Sequence, residues 1–147
     1  MTSALPPQAA SSAILERDGK FLLIRRKNPP AADLYAYPGG RAEPGETPDE
    51  TAVREFFEET GIAVRDPVLF ATYDLKGKDE ESPRFLLSVF RVFSDDRHEA
   101  VAADDATDAG WFTPAEIRRL PSPKSVRECA ERLAEEIALK IAGRPGG

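Results

Sequence analysis

Cysteine and histidine are nearly absent from this chain, with one of each in 147 residues. A lone cysteine, Cys129, excludes an intramolecular disulfide and any metal centre built from thiolates. The single histidine, His98, lies in a polar stretch and reads as an exposed loop residue rather than an acid–base group. No run approaches the ~20 apolar residues of a membrane span. The first ten residues, MTSALPPQAA, lack the basic region and apolar core of a secretory signal, which predicts a cytoplasmic protein. A basic excess is missing as well: 26 acidic against 20 basic residues give a net charge of −6, which argues against broad binding to nucleic-acid phosphates. Small anionic substrates remain open, because metal ions and a few arginines can reverse the local field. Internal repeats and low-complexity segments are also lacking.

What is present suits one soluble globular domain, with 41% hydrophobic and 31% charged residues. Residues 1–9 read as a disordered leader, 10–143 as the domain and 144–147 as a flexible tail.

The most informative stretch is residues 40–62, GRAEPGETPDETAVREFFEETGI. Thr47, Pro48 and Glu50 form a capping-box pattern, with proline at the first helical position and glutamate at the third. Gly61 is suited to the residue just past the end, so the spacing predicts a helix over 48–60. Glu55, Glu58 and Glu59 then share one face, where like charges repel and a hard divalent cation would relieve them. Ala52, Val53, Phe56 and Phe57 supply apolar surface on the other faces for docking. A solvated acidic face is the bland alternative for such a helix taken alone.

The whole string resembles the signature of the Nudix hydrolases at every fixed position: Gly40, five residues, Glu46, seven residues, then Arg54-Glu55-Phe56-x-Glu58-Glu59-x-Gly61-Ile62. A pattern that long is far more specific than a lone glycine motif. The resemblance implies that Glu55, Glu58 and Glu59, together with the Gly39 carbonyl, hold Mg²⁺ or Mn²⁺, and that Arg54 orients the catalytic glutamates. It also implies a carboxylate base, either Glu58 or Asp105 in the acidic loop before Trp111, with Glu99, Asp104 and Asp108 still open. Dimerisation is common among the proteins it resembles, although no segment here marks an interface, so a homodimer stays open.

Around that helix, residues 12–17 and 20–26 read as a hairpin turning at Asp18-Gly19. Arg25 and Arg26 at its end could hold a substrate phosphate or simply face solvent. Tyr35 and Tyr37 precede Pro38-Gly39-Gly40; Tyr35 could stack on a nucleobase, or pack on the core. Gly39 and Gly40 permit close approach of backbone and ligand. Residues 41–45 should be a short strand and turn, and 68–75 and 84–93 further strands, FLLSVF being apolar enough for the centre of a sheet covered on both sides. Thr113-Pro114-Ala115-Glu116 opens a short helix, and Ser122-Pro123 a longer one with an apolar stripe of Val126, Ala130, Leu133, Ile137 and Ile141. This order implies a mixed sheet between helices, an α/β/α sandwich like the Nudix fold.

The expected reaction is hydrolysis of a nucleoside diphosphate linked to another moiety, NDP-X, with a non-catalytic nucleotide sensor on the same fold as the alternative. ADP-ribose, nucleotide sugars and nucleoside triphosphates all remain candidates. Residues 76 and 77, where many ADP-ribose pyrophosphatases carry proline, are Lys76 and Gly77. The extended patterns of coenzyme A and dinucleoside polyphosphate hydrolases are missing.

Overall fold

The computed structural model describes residues 6–27, 33–76, 84–96 and 106–143. Its elements are β1 (Gln8–Arg17), β2 (Lys20–Arg26), β3 (Tyr35–Ala36), β4 (Gly39–Arg41), α1 (Pro48–Thr60), β5 (Arg65–Leu75), β6 (Phe85–Phe93), β7 (Ala106–Phe112), α2 (Pro114–Ile117) and α3 (Lys124–Ala142). β1 begins at Gln8, so it reaches into the stretch that composition assigned to the leader; register with β6 recruits these polar residues.

Asp18 (φ 53°) and Gly19 (φ 80°) make the hairpin turn, both in the left-handed region that a two-residue hairpin demands. The strands it joins soon part. β1 and β2 pair at Glu16↔Phe21 and Arg17↔Lys20; beyond that, β1 pairs with β4 and β2 with β3. The 35–41 segment thus enters the opening between the two strands and carries Gly39-Gly40 into it. A Cβ on Gly39 would collide with the Ser11 carbonyl oxygen and lie 2.7 Å from Ser12 Cα, so glycine is what lets β4 seat against β1.

β6 runs parallel to β1 on its other edge, and β5 pairs antiparallel with β6, giving the order β3-β2-β1-β6-β5. β7 takes the second edge of β2. Alternation along these strands divides the core in two. Ala13, Leu15, Leu22, Phe90 and Val92 face α1 and pack on Ala52 and Phe56. Ile14, Phe21, Leu23 and Val89 face the other way, onto Ile117 of α2 and Val126, Cys129, Ala130 and Leu133 of α3. The result is the three-layer sandwich, with β6 in the interior of the sheet as its apolar run requires.

α1 follows its sequence signals residue for residue. Glu50 accepts the Thr47 backbone N–H at 2.9 Å, and Gly61 (φ 76°) donates to the Phe57 carbonyl at 2.8 Å. Phe56 is fully buried, which contributes about 2–3 kcal/mol of transfer free energy. Phe57, by contrast, is 54% exposed: one residue on from Phe56, it is turned by roughly 100° away from the sheet. The α3 stripe is likewise shorter than its period suggested. Val126, Ala130 and Leu133 are buried and Ile137 packs beside them, whereas Ile141 is 62% exposed. No helix among the described residues is long and apolar enough to cross a membrane.

Candidate active site

Arg54 is the hub of the acidic helix. Its Nε and Nη2 donate to the two oxygens of Glu46 at 2.7 and 2.9 Å, a bidentate pair. Its Nη1 donates at 3.0 Å to both Glu55 Oε1 and Glu58 Oε2, and Nη2 reaches the Arg41 carbonyl at 3.1 Å. One guanidinium therefore ties the helix to β4 and the loop before it, and fixes two of the three glutamates. Glu46 is anchored further by the Glu43 N–H and the Thr51 hydroxyl. With the Arg54 bonds first among the causes, its carboxyl is held at about 2.

Glu55 is in the opposite electrostatic condition. Burial pushes its pKa up, and the Arg54 hydrogen bond only partly offsets this. The carboxylate sits where a side chain on Gly40 would be, since a Cβ there would lie 2.5–2.7 Å from the Glu55 carboxyl atoms. Gly40 is therefore needed to make room for the acid. Glu59 is buried and accepts the Gly39 N–H at 3.1 Å, whereas the Glu58 side chain is 43% exposed.

Glu55, Glu58 and Glu59 line a cleft of about 590 Å³ together with Gly39, Gly40, Arg26 and Arg41. Their donor chemistry, carboxylates beside a sharp glycine turn, fits a hard divalent cation. Among the described residues no three acidic, histidine or cysteine groups converge on one point. The Arg54 guanidinium instead occupies the position between Glu55 and Glu58 and serves as their counter-charge.

The remaining candidates separate. Arg26 lines the cleft, whereas Arg25 pairs with Asp33 at 3.6 Å and is not part of the lining. Tyr35 also stands apart from the lining: its ring packs edge-on against Phe112, with centroids 5.5 Å apart, and its hydroxyl reaches Asp108 Oδ2 at 3.4 Å. Tyr35 is thus engaged with Phe112 and Asp108. Tyr37 is the tyrosine that borders the cleft, buried with its hydroxyl donating to the Val126 carbonyl at 2.9 Å. Asp105, Asp104, Glu99 and His98 lie outside the described residues. Residues that motif reading passed over also line the cleft: Ala10 and Ser12 of β1, Phe85 and Leu87 of β6, and Ser125 of α3. Strand register brings those of β1 and β6 together, so no local sequence signal marks them.

Comparison with known proteins agrees with this geometry. The NUDIX domain model matches residues 5–134. An ADP-ribose pyrophosphatase of Methanocaldococcus jannaschii is 37% identical over 117 residues, covering 80% of this chain and 66% of that one. A putative 8-oxo-dGTP diphosphatase of Bacillus subtilis is 31% identical over 123 residues, covering 82% of this chain and 76% of that one. Among solved structures, a MutT NUDIX hydrolase from Burkholderia pseudomallei superposes with a TM-score of 0.77 at 26% identity, covering 86% of this chain and 98% of that one. Matched across most of its length and carrying every fixed residue of the signature on α1 and its approach, the chain belongs to the Nudix hydrolase family.

Proposed function

We propose that the protein hydrolyses the diphosphate linkage of a nucleoside diphosphate derivative, NDP-X, with the help of Mg²⁺ or Mn²⁺. The observation that carries this reading is the Arg54-centred array, in which one guanidinium holds Glu55 and Glu58 on the wall of a cleft that also contains buried Glu59 and the Gly39-Gly40 turn. The reading is supported by similarity to proteins named as an ADP-ribose pyrophosphatase and a putative 8-oxo-dGTP diphosphatase.

In this reading Glu55, Glu58 and Glu59, with the Gly39 carbonyl, would hold the metal. Bound there, the ion would supply a water of lowered pKa and offset charge on the diphosphate oxygens. Glu58 would be the one of the three to accept the proton of the attacking water, because its side chain is the most exposed of them. Asp105 remains the rival base. Arg54 keeps the carboxylates oriented, and its tie to Glu46 prevents the guanidinium from following them into the cleft. Arg26 is placed to meet a substrate phosphate. Gly40 leaves its backbone open to substrate as well as making room for Glu55.

The test is a screen of purified protein with Mg²⁺, and separately Mn²⁺, against ADP-ribose, nucleotide sugars, nucleoside triphosphates and 8-oxo-dGTP, with products resolved by chromatography. The reading expects cleavage at a diphosphate linkage and a Glu58→Gln variant slower by roughly 10² or more. Nucleotide binding without cleavage under every condition would replace it with a sensor.

A further inference from the structure

Seven positions separate Glu46 from Arg54, and the signature leaves all seven open. One of them holds a polar side chain that is buried in full: Thr51, in the first turn of α1, is 0% exposed. A hydroxyl so deeply buried has to be bonded. The usual partner of a threonine within a helix is the carbonyl one turn back. Here that carbonyl, on Thr47, lies 3.1 Å from Thr51 Oγ1, whereas Glu46 Oε1 lies at 2.7 Å. The hydroxyl has one proton, and the nearer, charged oxygen is the stronger acceptor. Thr51 thus donates to Glu46, although burial alone could be satisfied without it.

The bond completes the coordination of Glu46. Its Oε1 accepts the Thr51 hydroxyl, the Glu43 N–H at 3.0 Å and Arg54 Nη2 at 2.9 Å, and its Oε2 accepts Arg54 Nε at 2.7 Å. Four donors fill the roughly four lone-pair sites of a carboxylate. They differ in stiffness. The Glu43 donor is backbone, and Thr51 is a short, β-branched side chain with few rotamers open to it in a helix. Arg54 hangs on a long stem with many rotamers. The two stiff donors therefore fix the carboxylate, and the carboxylate fixes the arginine.

Nothing else in the helix depends on the hydroxyl. The Thr47 carbonyl already accepts the Thr51 backbone N–H at 3.0 Å. Valine has the same branched outline as threonine, so exchanging the hydroxyl for a methyl takes a donor from Glu46 and leaves the first turn of the helix otherwise paired.

Building on the NDP-X reading, we propose that Thr51 is a positioning residue for the metal-binding carboxylates. It acts through Glu46. The stiff hydroxyl sets the angle of the Glu46 carboxylate, the carboxylate sets the plane of the Arg54 guanidinium, and Nη1 in that plane reaches Glu55 and Glu58 at 3.0 Å each. Without the hydroxyl, Glu46 keeps its charge for Arg54 but loses one of its two stiff anchors, and the spacing of Glu55 and Glu58 loosens with it.

Mn²⁺ titration, read by EPR or calorimetry, and the Arg54 Nε–H signal in NMR spectra of the metal-free protein test this without turnover. Thr51→Val should weaken Mn²⁺ binding roughly fivefold, the scale of one hydrogen bond, and should speed exchange of the Arg54 Nε proton. Thr51→Ser keeps the hydroxyl and should restore both. On an Arg54→Lys background the loss should vanish, because the fork through which Thr51 acts is already gone. A role in packing alone would lower Tm in both backgrounds and leave Mn²⁺ affinity and Nε exchange of the folded protein unchanged. Thr51→Ala makes the same comparison with Thr51→Ser even if Thr51→Val does not fold. Unchanged Mn²⁺ affinity and exchange in Thr51→Val and Thr51→Ala, a Thr51→Ser protein as impaired as Thr51→Val, or an equal loss on the Arg54→Lys background would overturn the proposal. If the changes appear as expected and no NDP-X is cleaved, the reaction fails and the positioning stands. If NDP-X is cleaved and Thr51→Val matches the unaltered protein in kcat and Mn²⁺ affinity, the reaction stands and the positioning fails. No Mn²⁺ binding by the unaltered protein would overturn both.

Discussion

The two faces of the sheet are built on different principles. On one side, Glu46, Glu55 and Glu58 are locked to the single Arg54 guanidinium by hydrogen bonds of 2.7–3.0 Å. On the other, Ile14, Phe21, Leu23 and Val89 hold Val126, Cys129, Ala130 and Leu133 of α3 by apolar packing. The difference teaches where each kind of work belongs. Holding metal and water demands fixed charge, and repelling carboxylates stay together only if something cationic is among them. Holding a helix against a sheet demands shape and apolar area, which alternate residues of the strands supply.

The strongest way to break the comparison is to disable one face and ask whether the other notices. Glu58→Gln should lower kcat by roughly 10² or more while Tm stays within a few degrees, as steady-state kinetics and melting curves would show. Arg54→Lys keeps the charge but loses the fork that spans Glu46, Glu55 and Glu58. It should cost about 10–100-fold in kcat or Mn²⁺ affinity. Gly40→Ala places a methyl against the Glu55 carboxyl and should weaken Mn²⁺ binding by about tenfold, measured by calorimetry.

The smallest expected effect sharpens the electrostatic side. Glu46 has a depressed pKa, so its contribution to stability is present above its unfolded value of about 4.5 and is lost as pH falls toward about 2. Glu55 has a raised pKa, so the sign reverses: its ionised form is the one folding disfavours, and stability falls as pH rises through its titration. Metal-free melting curves should therefore show Glu46→Gln lowering Tm at neutral pH, with the gap closing in acid. Glu55→Gln should hold or raise Tm at neutral pH even though it removes a proposed metal ligand.

How far the sequence revealed these two faces follows from the range of the interactions. α1 was legible to the residue because its signals are local: Thr47, Pro48, Glu50 and Gly61 act within one turn of its ends. The acidic face was legible for the same reason. Gly40 was read as backbone freedom, whereas its contact is with Glu55, fifteen positions along the chain. Tyr35 was open to stacking or core packing, and the pairing of β3 with β2 sets its ring against Phe112; Arg25, read from its place at the end of the hairpin strand, pairs with Asp33. The part of the cleft lined by β1 and β6 was invisible because it depends on the parallel register of these strands, which joins Ala10 to Leu87 across most of the domain. Ile141 continued a helical period past the point where the core ends.

The division of labour between the faces is tested most directly by steady-state kinetics and melting of Glu58→Gln and Leu133→Ala, side by side with the unaltered protein, on the NDP-X it cleaves fastest. The account predicts a collapse of kcat with little change in Tm for the first, and a fall in Tm of roughly 5 °C or more with kcat nearly intact for the second. Wild-type turnover by Glu58→Gln, or lost turnover in folded Leu133→Ala, would contradict it.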